Sequence, residues 1–171
     1  MSTLSPIREL TAHRINGLNE ALRVFVLDGP GAGGASHDYV VLLPMSREQN
    51  DAYARGGAPD AGAAQYDMGN GDTLWVNHHI ASIWGGSAPV KFFWATRLSF
   101  QNGPIKEAGV NGISQEALIA VLLDRLEGFQ SGQYACRDNQ LALDHLQYAR
   151  LVLHKRAMDR AARGVEGTNA K

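Results

Sequence analysis

The sequence predicts an α+β fold, an N-terminal antiparallel β-sheet followed by a C-terminal antiparallel two-helix hairpin, and three observations carry that prediction. Short runs of β-branched and large apolar residues recur through the first hundred residues, separated by turn formers and too short for helices. From Ser114 onward the apolar residues take helical spacing over long stretches. Between the two textures lies FQNGPIKEAGVNG (Phe100–Gly112), which packs two Asn-Gly pairs and a proline into one connection. The expected division is a β-rich domain over 1–99 and a linker plus helical hairpin over 100–171.

In chain order, LRVFVL (Leu22–Leu27) and YVVLL (Tyr39–Leu43) read as strands. The DGPGAGGASHD between them fits a hairpin with a wide glycine-rich connection. ARGGAPDAGAAQYDMGNG (Ala54–Gly71) lacks an apolar period and is expected to be a mobile surface loop. DTLWV (Asp72–Val76) and VKFFWATRLSF (Val90–Phe100) are further strands. Alternation puts Phe92, Trp94 and Thr96 on one face of the latter, with Phe93, Ala95 and Arg97 on the other.

The first helix is expected over about 114–129. Ser114 takes the N-cap, Glu116 lies in the first turn, and Leu118, Val121, Leu122 and Phe129 form an apolar face. Gly128 and Ser131-Gly132 are read as its end. The second helix spans about 137–163, with Leu143, Leu146, Ala149 and Leu153 as its stripe and Gly164 at the C′ position. The tail VEGTNAK is expected to fray. Two amphipathic helices bury little alone, so they must pack on the sheet or on a second copy.

With 44% apolar and 19% charged residues and a net charge of −1 over 171 residues, the chain reads as an ordinary folded protein. Such a balance argues against a protein that coats DNA or RNA polymers. The single cysteine, Cys136, excludes an internal disulfide and a multi-cysteine zinc site; a small buried hydrophobe is expected there. MSTLSPIREL has no signal-peptide core, and no apolar run reaches the ~20 residues of a membrane span, so a cytoplasmic protein is expected.

No cofactor, metal or catalytic motif stands out. His37-Asp38 and His78-His79 are adjacent pairs that point to opposite faces of a strand. Gly29–His37 could form a phosphate nest but lacks the lysine of a P-loop, so a hairpin connection is the stronger reading. Arg125 follows Val121 by four positions and precedes Phe129 by four, at the edge of an apolar face. It must snorkel, meet a carboxylate such as Asp138, or hold an anion, and the last two are equally open. Arg156, Arg160 and Arg163 form a basic stripe, better explained by the helix dipole than by a phosphate ligand.

The segment FQNGPIKEAGVNGISQEALIAVLLDRLEGFQSGQYACRDNQLALDHLQYARLVLHKRAMDRAARGVEGTNAK, with INGLNEALRVFVLDGPGAGGASHDYVV upstream, resembles the viral Thoeris anti-defence (Tad) family. Its helical hairpin is similar to that of anti-CBASS sponges. The resemblance is specific over about Phe100–Thr168, extends to Ile15–Val41 and is absent over Ala54–Ile83. One departure is Gln133, where the family pattern has a proline after the glycine.

The resemblance implies a non-enzymatic sponge without cofactor. It would bind a cyclic ADP-ribose isomer made by a TIR-domain enzyme, and in some members cyclic di- or trinucleotides of CBASS. It implies a homo-oligomer, dimer or hexamer, with pockets where subunits meet, in the cytoplasm of an infected bacterial host. By motif position Phe100, Asn111 and Arg125 would line the ADP-ribose-type pocket, with Arg137, Gln101 and Gly112 as further ligand-binding candidates. Arg156 and Arg160 would serve a second oligonucleotide site. The rivals are an enzyme degrading the same signal through His37 or His13, and a phage assembly protein whose hairpin only oligomerises.

Overall fold

The computed structural model describes residues 7–31, 34–55, 63–86 and 88–168. The chain divides into two compact units, Met1–Ser99 and Phe100–Lys171. Among the described residues no helix is long and apolar enough to cross a membrane.

The first unit contains strands β1 (Arg8–Leu10), β2 (Arg23–Val26), β3 (Asp38–Pro44), β4 (Ala64–Asp67), β5 (Asp72–Val76), β6 (Ile80–Gly85) and β7 (Ala88–Ser99). Two short helices interrupt them, α1 (Gly17–Ala21) and α2 (Arg47–Arg55). All neighbours pair antiparallel in the order β1-β2-β3-β7-β6-β5-β4, with the long β7 in the middle. The sheet curls until its edges meet: the Ile7 amide donates to the Asp67 carbonyl at 2.8 Å, and Ile7 packs on the same core as Tyr66 and Met68. Curling in this way shields edges that would otherwise offer unpaired backbone.

Period-two alternation builds the core. Phe25 lies opposite Val40, Leu42 opposite Ala95, Leu74 opposite Ile83 and Ala81 opposite Phe93, and all eight are buried in one cluster. The alternate residues of β7 face outward, where Tyr53 of α2 covers Phe92 and Trp94 with ring centroids 5.8 and 6.1 Å away. Helix α2 also completes the backbone pairing of β7. Strand β3 stops at Pro44, opposite Phe93, and Asn50 takes the place of its next residue. The Asn50 Oδ1 accepts from the Phe92 amide at 2.8 Å and its Nδ2 donates to the Phe92 carbonyl at 3.4 Å.

Part of the segment expected as a loop is in fact edge strand β4. Asp67 accepts from the Gly69 amide and Asn70 from the Asp72 amide, and Gly69 and Gly71 take positive φ, which makes the tight turn into β5. Residues 56–62 of that segment lie outside the described ones.

Charged residues at the ends of inward-facing rows are paired. Asp38 accepts from Arg97 at 2.9 Å and from Ser99 at 2.7 Å, while Arg23 grips both oxygens of Glu9 at 2.8 and 3.1 Å. Burial alone would push the Asp38 carboxyl up, but these hydrogen bonds and the Arg97 charge outweigh it and hold it below its usual value. The Arg23 hydrogen bond does the same for Glu9 against its partial burial.

The second unit holds α3 (Ile105–Ala108), α4 (Gln115–Gln130) and α5 (Arg137–Ala162). Ser114 caps α4 by accepting from the Ala117 amide at 3.1 Å. Helix α4 runs through Gly128 and ends at Gln130, just before Ser131-Gly132. Cys136 is exposed, not buried: its Sγ caps α5 by accepting from the Asn139 amide at 3.4 Å. Helix α5 ends in a Schellman motif, with the Gly164 amide on Ala161 and the Val165 amide on Arg160. The segment beyond it does not fray as far as Thr168, because the Arg160 side chain donates to the carbonyls of Val165 and Thr168.

The α5 stripe of Leu143, Leu146, Ala149 and Leu153 is buried or half-buried as its spacing implies. In α4 the inward side is Ile119, Leu123 and Leu126, whereas Val121, Leu122 and Phe129 are exposed. That helix carries apolar residues on two faces, and one chain covers only one of them.

Because Asp38 and Glu9 titrate lower in the fold than in the unfolded chain, their contribution is complete only above about pH 5, beyond the ordinary carboxylate values, and is lost as pH falls through the folded values. Urea unfolding followed from pH 7 to pH 3 should therefore lose stability more steeply for the native protein than for the Glu9→Gln, Asp38→Asn double variant. Parallel curves would show that the pairs contribute nothing.

Candidate functional site

The linker between Ser99 and α4 is held by two side-chain amides. Gln101 Nε2 donates to the carbonyls of Gly103 and Gly109 at 3.2 and 2.8 Å, and its Oε1 accepts from the Asn111 amide at 3.0 Å. Asn111 Oδ1 accepts from the Asn102 amide and its Nδ2 donates to the Asn102 carbonyl, both at 2.8 Å. Phe100 and Ile113 form an isolated parallel bridge, and the Gln101 amide donates to the Ile113 carbonyl at 2.9 Å. Gly112 lies against this bridge: a Cβ there would fall 2.3 Å from the Phe100 carbonyl carbon. Gln101, Asn111 and Gly112, all expected at the ligand, are thus also the parts that give the linker its shape.

Arg125 is exposed and stacks over the Phe129 ring, its Cζ 5.1 Å from the centroid, and Tyr134 meets Phe129 edge-on at 6.5 Å. Among the described residues it forms no ion pair, so the alternative of a structural bridge to Asp138 is not realised. Arg137 begins α5 and is exposed, as is Arg156. Arg160 is differently placed, bound to the tail carbonyls and 3.4 Å from a Glu166 oxygen.

These residues do not all converge within one chain. Ser114 and Arg125 are separated by eleven helical steps, or about 16 Å along the α4 axis. Phe100 and Asn111 therefore stand near the start of α4, while Arg125, Phe129, Tyr134 and Arg137 gather toward the turn between α4 and α5. Tyr134 escaped the sequence reading because it lies outside any periodic run. Its signal was the aromatic spacing of Phe129 and Tyr134 across a short turn behind an arginine.

The histidines considered as acid or base are engaged elsewhere. His13 Nε2 lies 3.2 Å from the Leu22 carbonyl, and the His37 ring packs beneath Gly31 with Nδ1 3.6 Å from Asp28. His37 faces Asp28, not its neighbour Asp38. Among the described residues no group of three His, Cys, Asp or Glu side chains could hold a metal ion.

Replacing Gly112 by alanine should push the Phe100 backbone away from Ile113. The expected result is faster amide exchange over 101–112 and a lower unfolding midpoint, by a few degrees, with the helices of the hairpin retained by circular dichroism. Unaltered exchange and midpoint would show that the linker relaxes freely around a methyl group.

Residues 96–158, from the end of β7 through the linker and most of α5, match the family described as "Acb2/Tad1, hairpin domain". The chain is also similar to "Thoeris anti-defense 1" of Bacillus phage SBSphiJ7, with 45% identity over 74 residues. That alignment covers 43% of this chain and 52% of the relative, so the chain spans about half the length of the curated protein it matches. Over its hairpin unit, the chain is similar to the Acb2/Tad1 hairpin family and to part of a Thoeris anti-defence protein.

Proposed function

We propose that the protein is a phage anti-defence sponge that binds a cyclic ADP-ribose isomer of Thoeris signalling and withholds it without cleaving it. The observation that carries this reading is Arg125: an exposed guanidinium without a carboxylate partner among the described residues, stacked on an aromatic ring beside an uncovered apolar face. A cyclic dinucleotide-like ligand asks for such a set. Arginine forks bind pyrophosphate oxygens in pairs, and aromatic rings stack on adenine. Phe100, Gln101, Asn111 and Gly112 supply the second wall, with Arg137 adding charge.

Since the two walls stand about 16 Å apart along one α4, the pocket is completed by a second copy, its hairpin laid against the first. Val121 and Leu122 of α4 and Tyr148, Leu151 and Val152 of α5 are 64%, 42%, 68%, 63% and 49% exposed, an apolar surface suited to that contact. The assembly is a homo-oligomer, dimer or hexamer, acting in the host cytoplasm. Arg156 with Arg160 forms the second site, for cyclic di- or trinucleotides of CBASS, and Arg160 must turn from its present partners to take part.

The decisive experiment mixes the protein with purified TIR-enzyme product, removes free nucleotide, denatures the protein and analyses what is released. Intact cyclic nucleotide is expected; a linear product would replace the sponge with an enzyme. No retained nucleotide, and no thermal shift with a panel of cyclic nucleotides, would favour an assembly protein. Phe100→Ala and Arg125→Ala should each weaken binding by about ten- to hundred-fold, as expected for removing a stacked ring or a charge-assisted pair worth about 1.5–3 kcal/mol. Unchanged affinity in both refutes the assigned walls.

A further inference from the structure

We infer that Arg160 is a positioning residue: it folds residues 164–168 back onto α3 and so fixes the linker that presents Phe100 and Asn111. Helix α3 has only four residues, no side-chain cap at its start and no buried residue, and so short a helix does not persist without outside support. The tail supplies it. The Lys106 amide, one of the donors left without an intrahelical partner at a helix start, donates to the Gly167 carbonyl at 3.4 Å. Gly167, at φ +72°, lies so close to α3 that a Cβ there would sit 3.0 Å from Ile105 Cγ1 and 3.2 Å from Lys106 Cγ.

The tail is held in turn by Arg160. Its guanidinium donates to the Val165 carbonyl at 3.0 Å and the Thr168 carbonyl at 2.8 Å, and Nε lies 3.4 Å from Glu166. Thr168 closes the loop by donating its hydroxyl to the Val165 carbonyl at 2.7 Å. At the far end of α3, the Gly109 carbonyl accepts from Gln101, whose oxygen receives the Asn111 amide. A continuous chain of contacts therefore runs from Arg160 through the tail and α3 to the linker. No residue of that chain but Arg160 belongs to α5.

Hydrogen exchange on the full-length protein without ligand tests this. Arg160→Gln and Gly167→Ala, which release the tail by different means, should each raise exchange over 101–111 by tenfold or more and leave Leu122–Leu126 of α4 protected. Lys155→Gln removes a charge from the same helix but pairs with Asp159, not the tail, and should change nothing there. Arg160→Lys, which keeps the charge with fewer donors, should restore part of the protection. Unchanged exchange over 101–111 in both releasing variants overturns the inference. So does protection lost equally across α4 and α5 in both, because the tail would then belong to the hairpin core.

The functional consequence rests on the sponge reading, and Gly167→Ala reports it. It should weaken binding of a cyclic ADP-ribose isomer at least fivefold through faster dissociation. Unchanged affinity with a loosened linker would deny the linker a part in the pocket. If the native protein retains no nucleotide, the sponge reading fails while the exchange data still decide the role of Arg160.

Discussion

An irregular stretch of backbone keeps one shape only if its N–H and C=O groups find partners, and that constraint governs the linker. Neither a sheet ladder nor a long helix is present to satisfy them. Two neutral amides do so instead: Gln101 and Asn111 between them engage the backbone of Asn102, Gly103, Gly109 and Asn111. A carboxamide suits this task because one end donates and the other accepts, and it carries no charge to desolvate. Where Phe100 stands, and where α4 begins, both follow from that clamp.

The hairpin shows a second constraint, of area rather than hydrogen bonding. One chain covers Ile119, Leu123 and Leu126 on α4 and leaves Val121, Leu122 and Phe129 in water. Each large apolar side chain so left forgoes part of the roughly 1.5–3 kcal/mol that full burial would give. A helix that is apolar around much of its circumference is built for more neighbours than one partner helix can give. Were a second copy to cover this face, as proposed, stability and ligand binding would draw on the same contact.

Much of the fold was legible in the sequence. Strong β-branched runs announced β2, β3, β5 and β7, and the sides of β7 followed from alternation. Strand β4 was hidden because Ala64–Asp67 is a weak former whose identity depends on pairing with β5 and on Ile7 across the closed sheet. Helix α2 was hidden for a similar reason, its worth lying in Asn50 and Tyr53 against a strand forty residues away. In α4, spacing found an apolar face but could not say which of two faces a single chain would bury. At the proposed site, spacing singled out Arg125, and the resemblance added Phe100. The clamping of the linker by Gln101 and Asn111, and the engagement of Arg160 with the tail, depend on distances that no spacing contains.

The central place of β7 also bears on how the molecule forms. Asp38 meets Ser99 across 61 positions, so the middle of the sheet cannot close until β7 has been made. Helices α4 and α5, joined by a short turn, meet through local contacts. Chains dominated by distant pairings gather slowly, whereas helical hairpins form fast. On the ribosome the earlier half of the chain must therefore wait with open strand edges, and the later half can assemble almost as it emerges.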